Sequence, residues 1–159
     1  MMKFITKGWN ALGAVIWATW DVLAATRNIA PFNAYVGENM LRWQNFQPPT
    51  QEYPAAEAGT LGVVTTQTLT PGVAQVNITA VLAAGADTAG IVILRDTGEI
   101  TTPDWTMCIA VIPAAGGTTI IFIDSPLAVG TYHYRVGTFS NDGKFGTLHA
   151  DGSASVTVV

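Results

Sequence analysis

The stretch Leu127-Ala128-Val129-Gly130-Thr131-Tyr132-His133-Tyr134-Arg135-Val136, followed shortly by Asn141-Asp142-Gly143, decides how the chain is read. Tyr132, Tyr134 and Val136 fall at period two, so they share one face of a strand, and His133 and Arg135 share the other. Asn-Asp-Gly after such a run is a strong hairpin signal. The same grammar extends in both directions. Residues 61–69 are rich in Val and Thr. Residues 73–82 set Val76, Ile78, Ala80 and Leu82 on one face. Residues 91–95 are apolar up to Arg95, and Asp96-Thr97-Gly98-Glu99 reads as a turn. Residues 106–112 stop at Pro113, and residues 118–123 are β-branched almost throughout. Residues 153–159 form a closing strand. About seven short strands at regular spacing, with turn residues between them, predict an antiparallel β-sandwich over residues 60–159.

The corner before the Tyr-x-Tyr strand carries a family resemblance. Leu127, Gly130, Tyr132 and Tyr134, with the Asn-Asp-Gly turn behind them, resemble the corner and sixth strand of fibronectin type III and immunoglobulin-like modules. Modules of this kind occur on tailed-bacteriophage virion proteins. The resemblance implies a mainly β, seven-stranded Ig-like or fibronectin III-like sandwich, in which a tyrosine hydroxyl ties the corner to nearby backbone. Burial gives the reason, since a buried phenol needs a hydrogen-bond partner. Trp105 lies just before the fourth strand and not within the third. The single cysteine excludes the Cys…Trp…Cys signature of antibody domains.

Composition divides the chain near Gly59. The first part, residues 1–59, holds Trp9, Trp17, Trp20 and Trp43, and its charges cancel. The second holds only Trp105 and all of the net charge of −4. Charged residues make up 11% of the whole, roughly half the usual share, so the surface is short of charge. An acidic, charge-poor chain gives no support to nucleic-acid binding. Cys108 has no partner for an internal disulfide and reads as a small buried hydrophobe on a strand. His133 and His149 are the only histidines, so no metal site and no cofactor are expected.

The first part is expected to be a helix and an extended arm. Ile5, Trp9, Leu12, Ile16 and Leu23 recur at three- and four-residue spacing, which predicts a helix over residues 4–25. Val15, Trp17, Trp20 and Val22 widen its apolar stripe nearly all round. Such a helix has to be buried in something, and a sandwich offers no evident groove for it. Three readings follow: a retained signal peptide, a membrane anchor over residues 8–26, and a helix docked into neighbouring subunits. Asn10 and Asp21 weigh against lipid. The docking reading is preferred, because tryptophans are common interface anchors. Residues 28–59 contain Pro31, Pro48, Pro49 and Pro54 and read as an extended strap with one short helical turn at residues 38–43. Trp43 and Phe46 would be its pegs, set either into a partner or onto the protein's own sandwich.

No catalytic constellation is evident. Asp87, Asp96, Glu99 and Asp104 fall in predicted turns, and His133 has no acid and nucleophile at a useful spacing. The chain is therefore expected to be a non-enzymatic virion structural protein, a capsid decoration or minor assembly protein. The arm would bind other virion or assembly subunits in an oligomeric setting, and the sandwich would be displayed. A membrane-anchored or pilin-like surface subunit is the second reading. A carbohydrate-binding module, presenting aromatics such as Trp105 to a surface glycan, is the third.

Overall fold

The computed structural model describes residues 1–149 and 154–159. Three helices come first: α1 (Met2–Trp9), α2 (Ala14–Arg27) and α3 (Pro31–Gln44). Among the described residues seven strands follow: β1 (Val64–Gly72), β2 (Gln75–Leu82), β3 (Thr88–Asp96), β4 (Cys108–Pro113), β5 (Thr119–Asp124), β6 (Gly130–Ser140) and β7 (Ala154–Val158). They form two antiparallel sheets, ordered β1-β2-β5 and β4-β3-β6-β7. The architecture is mainly β and sandwich-like. Each strand lies within a few residues of its expected place. Ser153, expected to open the last strand, falls outside the described residues. The turn at residues 141–143 closes as its sequence implies: Ser140 N–H donates to the Lys144 carbonyl at 3.0 Å, and Gly143 takes φ +83°.

The inner faces of the two sheets meet in one core. Val76, Ile78, Ala80 and Leu82 of β2 face Ile91, Ile93, Tyr134 and Val136 across it. What sets this sandwich apart is β3, where Ile91, Val92, Ile93 and Leu94 are all buried in succession. Side chains alternate along a strand, so Val92 and Leu94 must lie on the outer face. A strand buried on both faces belongs to a sheet covered on both sides. Here the cover is the first part of the chain. Trp43, with Phe4 and Phe46 beside it, packs on Val92, Leu94, Ile100 and Phe139.

The expected single helix over residues 4–25 and the expected long strap are both corrected. The chain turns at residues 10–13, so α1 and α2 are separate helices. Asn28 then caps α2 in the left-handed conformation, with Ile29 N–H bonded to the Ala24 carbonyl at 3.1 Å. Pro31 opens α3 at its first turn, where its missing N–H costs nothing. Helix α3 runs well beyond the short turn expected at residues 38–43. Its buried face is Tyr35, Asn39 and Trp43 at four-residue spacing, and the polar Asn39 in the middle conceals the stripe. Asn39 is satisfied by the strap. Its amide donates to the Thr50 carbonyl at 3.0 Å and its side-chain oxygen accepts from Thr50 N–H at 2.6 Å.

Only residues 45–59 remain as a strap, and it is stitched on both sides. Trp20 Nε1 donates to the Gln51 carbonyl at 2.6 Å. Gln51 N–H and Glu57 N–H donate to the carbonyls of Asn141 and Asp142, at 2.7 and 2.8 Å. Arg42 donates to the carbonyls of Pro48 and Gly143 and to Glu57. The helices also approach closely: a Cβ at Gly8 would meet Tyr35 Oη at 2.6 Å.

Two outcomes follow from this cover. A chain reduced to residues 60–159 would leave Val92, Leu94 and Phe139 bare, and should bind a hydrophobic dye and self-associate in light scattering. Trp43→Ala in the full chain should cost about 3–5 kcal/mol in denaturant unfolding.

Candidate functional site

The expected interface residues divide by burial. Ile5, Trp20, Leu23 and Trp43 are buried within the chain itself. Leu12 and Phe46 are half-buried, and Phe46 stacks on Phe145 with centroids 4.9 Å apart. These six side chains build the helical layer and seat it on the sheet. Ile16 is half-buried and, four residues before Trp20 and seven before Leu23, shares their inner side of α2. Trp9 is half-buried against Tyr35, with ring centroids 5.3 Å apart. Of the expected interface residues only Trp17 is exposed. Trp9 and Trp17 stack at 5.3 Å and 11°, and the edge of Phe32 meets Trp9 at 5.7 Å.

Around this aromatic group α2 presents a second apolar face. Val15, Ala18, Val22 and Ala25 are all exposed, at spacings that put them along one side of the helix. Val15 is 84% and Val22 67% exposed. Trp17, Ile29 and Phe32 are each about 40% exposed and extend the surface toward α3. Asp21 is the only carboxylate of α2. Arg27 is held by Glu38 at 2.8 Å. The helix is thus apolar on two sides, one closed by α1, α3 and the strap, the other open. Contiguous exposed apolar surface of this kind marks contact sites. The sequence carried the signal in the nearly all-round stripe of α2. It could not say which side the chain would cover for itself.

The corner residues come together at the other end of the fold. Tyr132 Oη donates to the Ala128 carbonyl at 3.0 Å, with Leu127 buried beside it in the core and Gly130 opening β6. Tyr134 is fully buried, and its hydroxyl donates to Asp124 Oδ2 at 2.8 Å. Arg95 meets both oxygens of Asp124 at 2.9 Å and lies over the Tyr132 ring at 5.8 Å. This network joins β5 of one sheet to β3 and β6 of the other. Sequence reasoning named the tyrosines but not Asp124 or Arg95, which sit far apart in the chain.

The turn acids act locally. Asp104 accepts from Thr106 N–H at 2.7 Å, which holds its carboxyl below the ordinary range. Asp87 accepts from Thr60 N–H at 2.6 Å, and Asp96 from Thr97 N–H at 2.6 Å. Among the described residues no group of three His, Cys, Asp or Glu could hold a metal ion. None of the described helices is long and apolar enough to cross a membrane. The stretch 8–26 is broken by the turn before α2. Trp105 is exposed, whereas Tyr134 and Phe139 are core residues. A cleft of about 260 Å³ lies between α1, the strap and the sheet, bordered by Phe4, Lys7, Tyr35, Pro49 and Asn141.

No family model matches the chain, and no curated protein matches it in sequence.

Burial pushes the Tyr35 phenol up to about 12 and the Cys108 thiol up to about 11. Tyr134 is raised as well, by burial, by its bond to Asp124 and by that residue's charge. A raised folded-state value favours the neutral form. The stability is therefore full below the unfolded values and is lost as pH climbs through them toward the folded ones. The melting temperature should hold near neutrality and fall above about pH 9–10. Tyr35→Phe should remove roughly 2–3 kcal/mol of that alkaline loss, read as a shallower fall in a pH series of thermal melts. Tyr134→Phe should cost about 1–3 kcal/mol at neutral pH, because it leaves the buried Asp124 short of a donor.

Proposed function

We propose that the chain is a non-enzymatic structural subunit, of the virion decoration or minor assembly kind. Its helical layer docks onto a neighbouring protein, and a fibronectin type III-like sandwich is displayed beyond it. The observation that carries this reading is the open apolar face of α2, where Val15, Val22 and Trp17 meet solvent, with Trp17 backed by the half-buried Trp9 ring. Buried aromatic anchors beside small apolar residues are what protein interfaces are made of. The strand orders β1-β2-β5 and β4-β3-β6-β7, with a tyrosine hydroxyl tied to backbone at the start of β6, support the fibronectin-like reading of the displayed part. A charge-poor surface fits a protein that works while partly covered.

The fold changes which residues of the first part meet a partner. Trp20 and Leu23 are buried inside the helical layer and Trp43 seats that layer on the chain's own sheet, while the outer side of α2 meets the neighbour. Deleting the first part would therefore test stability and not docking. Val15→Glu with Val22→Glu keeps the inner side intact and charges the outer one. In cells producing the particles, wild-type chain should sediment with assembled particles through a density gradient. The double variant should stay in the free fraction with an unchanged melting temperature. Equal incorporation of the two would refute the docking face, and absence of the wild type from particles would refute the virion assignment.

A further inference from the structure

Strand β5 is an edge of the sheet β1-β2-β5, and its hydrogen bonds to β2 fix its backbone parity. Leu82 N–H donates to the Thr118 carbonyl at 2.9 Å. The register continues with Ala80 opposite Ile120 and Ile78 opposite Phe122. Bonded pairs alternate along an antiparallel ladder, so residues 118, 120 and 122 turn their backbone groups toward β2. Residues 119, 121 and 123 turn theirs away. The β1–β2 hairpin gives the same parity. It closes on Gly72 opposite Gln75, which assigns Gln75, Asn77 and Thr79 to β1 and leaves Val76, Ile78 and Ala80 for β5. Among the described residues no backbone bond reaches Thr119, Ile121 or Ile123 from the open side.

Those three residues also carry the exposed side chains of β5. Ile121 is 70% and Ile123 53% exposed, and Thr119 is exposed. Soluble proteins guard such edges with charge, proline or a bulge. The opposite edge, β1, has Pro71 and a register shift between Val64 and Thr66, and β4 ends at Pro113. Residues 118–123 read Thr-Thr-Ile-Ile-Phe-Ile, with no charge and no proline, and their register is unbroken.

We propose that β5 is a homodimerisation edge, pairing antiparallel with β5 of a second copy about a two-fold axis through Ile121. Ile121 then opposes itself, Thr119 opposes Ile123, and Thr118 opposes Asp124. The outward backbone groups of residues 119, 121 and 123 match their counterparts in about six bonds. The exposed Ile and Thr side chains of the two copies form one continuous row on the outer face. Charge is compatible with a second copy. The only ionisable group in the register is Asp124, which meets a threonine and is already held by Arg95. The contact is small, at the low end for specific interfaces, so the dimer forms with rising concentration and is not obligate. It lies on the layer remote from α2 and does not rest on the docking reading.

Sedimentation of the full chain over a wide concentration range tests it. The expected result is a monomer–dimer equilibrium that disappears in Ile121→Lys, with the melting temperature unchanged because that side chain faces solvent. In a Cys108→Ala background, Ile121→Cys should cross-link across the two-fold on mild oxidation, since bonded pairs set Cα atoms about 5.5 Å apart. Ile123→Cys, opposite a threonine, should not. A chain that stays monomeric throughout overturns the proposal. So does a dimer that survives Ile121→Lys, including one lost only in Val22→Glu. Cross-linking through Ile123→Cys in place of Ile121→Cys overturns the register.

Discussion

The outer face of the sheet β4-β3-β6-β7 is the constraint on which the rest of the molecule depends. Four successive apolar residues, Ile91 to Leu94, are buried on β3, and two of them can only point away from the sandwich core. Left bare, Val92, Leu94 and Phe139 would offer water a broad apolar surface. The first part of the chain meets this need with three helices and the strap, whose aromatic residues Phe4, Trp43 and Phe46 fill the face. The molecule is therefore layered as sheet, sheet and helices. The composition break near Gly59 marks a change of layer.

Polar groups fix how the layers register. Apolar contact alone would allow the helices to slide, because it is non-directional. Asn39, Trp20 and Arg42 each bond to backbone carbonyls of the strap, and the strap in turn bonds to the turn after β6. Between the sheets the same part is played by Tyr134, Asp124 and Arg95. Buried polar groups of this kind are costly unless paired, so their pairing selects one arrangement among those the apolar residues would accept.

Once the chain has covered its own sheet, what it leaves open becomes informative. Helix α2 keeps a second apolar side facing outward, and β5 keeps an edge without the usual guards. The two lie on opposite layers. These are the two surfaces on which the docking and strand-pairing proposals rest. The acids of the sandwich, Asp87, Asp96 and Asp104, are engaged in holding turns.

The strands were legible because their signal is local. Period-two alternation in β2 and β6 and turn residues at 96–99 and 141–143 act on near neighbours, and the sequence by itself determined the seven strands and their sandwich class. Helix α1–α2 was legible as apolar and helical, but the break at residues 10–13 was not, since no proline marks it. Helix α3 was hidden because a polar Asn39 occupies the centre of its buried stripe, and only the distant Thr50 backbone makes that residue acceptable there. The run Ile91-Val92-Ile93-Leu94 reads in the sequence only as a strand, and the sandwich was expected to offer the helix no groove; the structure instead covers the outer face of this sheet with the first part of the chain. That choice belongs to the tertiary structure. Trp43 and Trp17 are both helical tryptophans, and one is buried against β3 while the other meets solvent. Apolar character is fixed by composition, whereas which side of a helix finds a partner within the chain depends on residues brought together from afar.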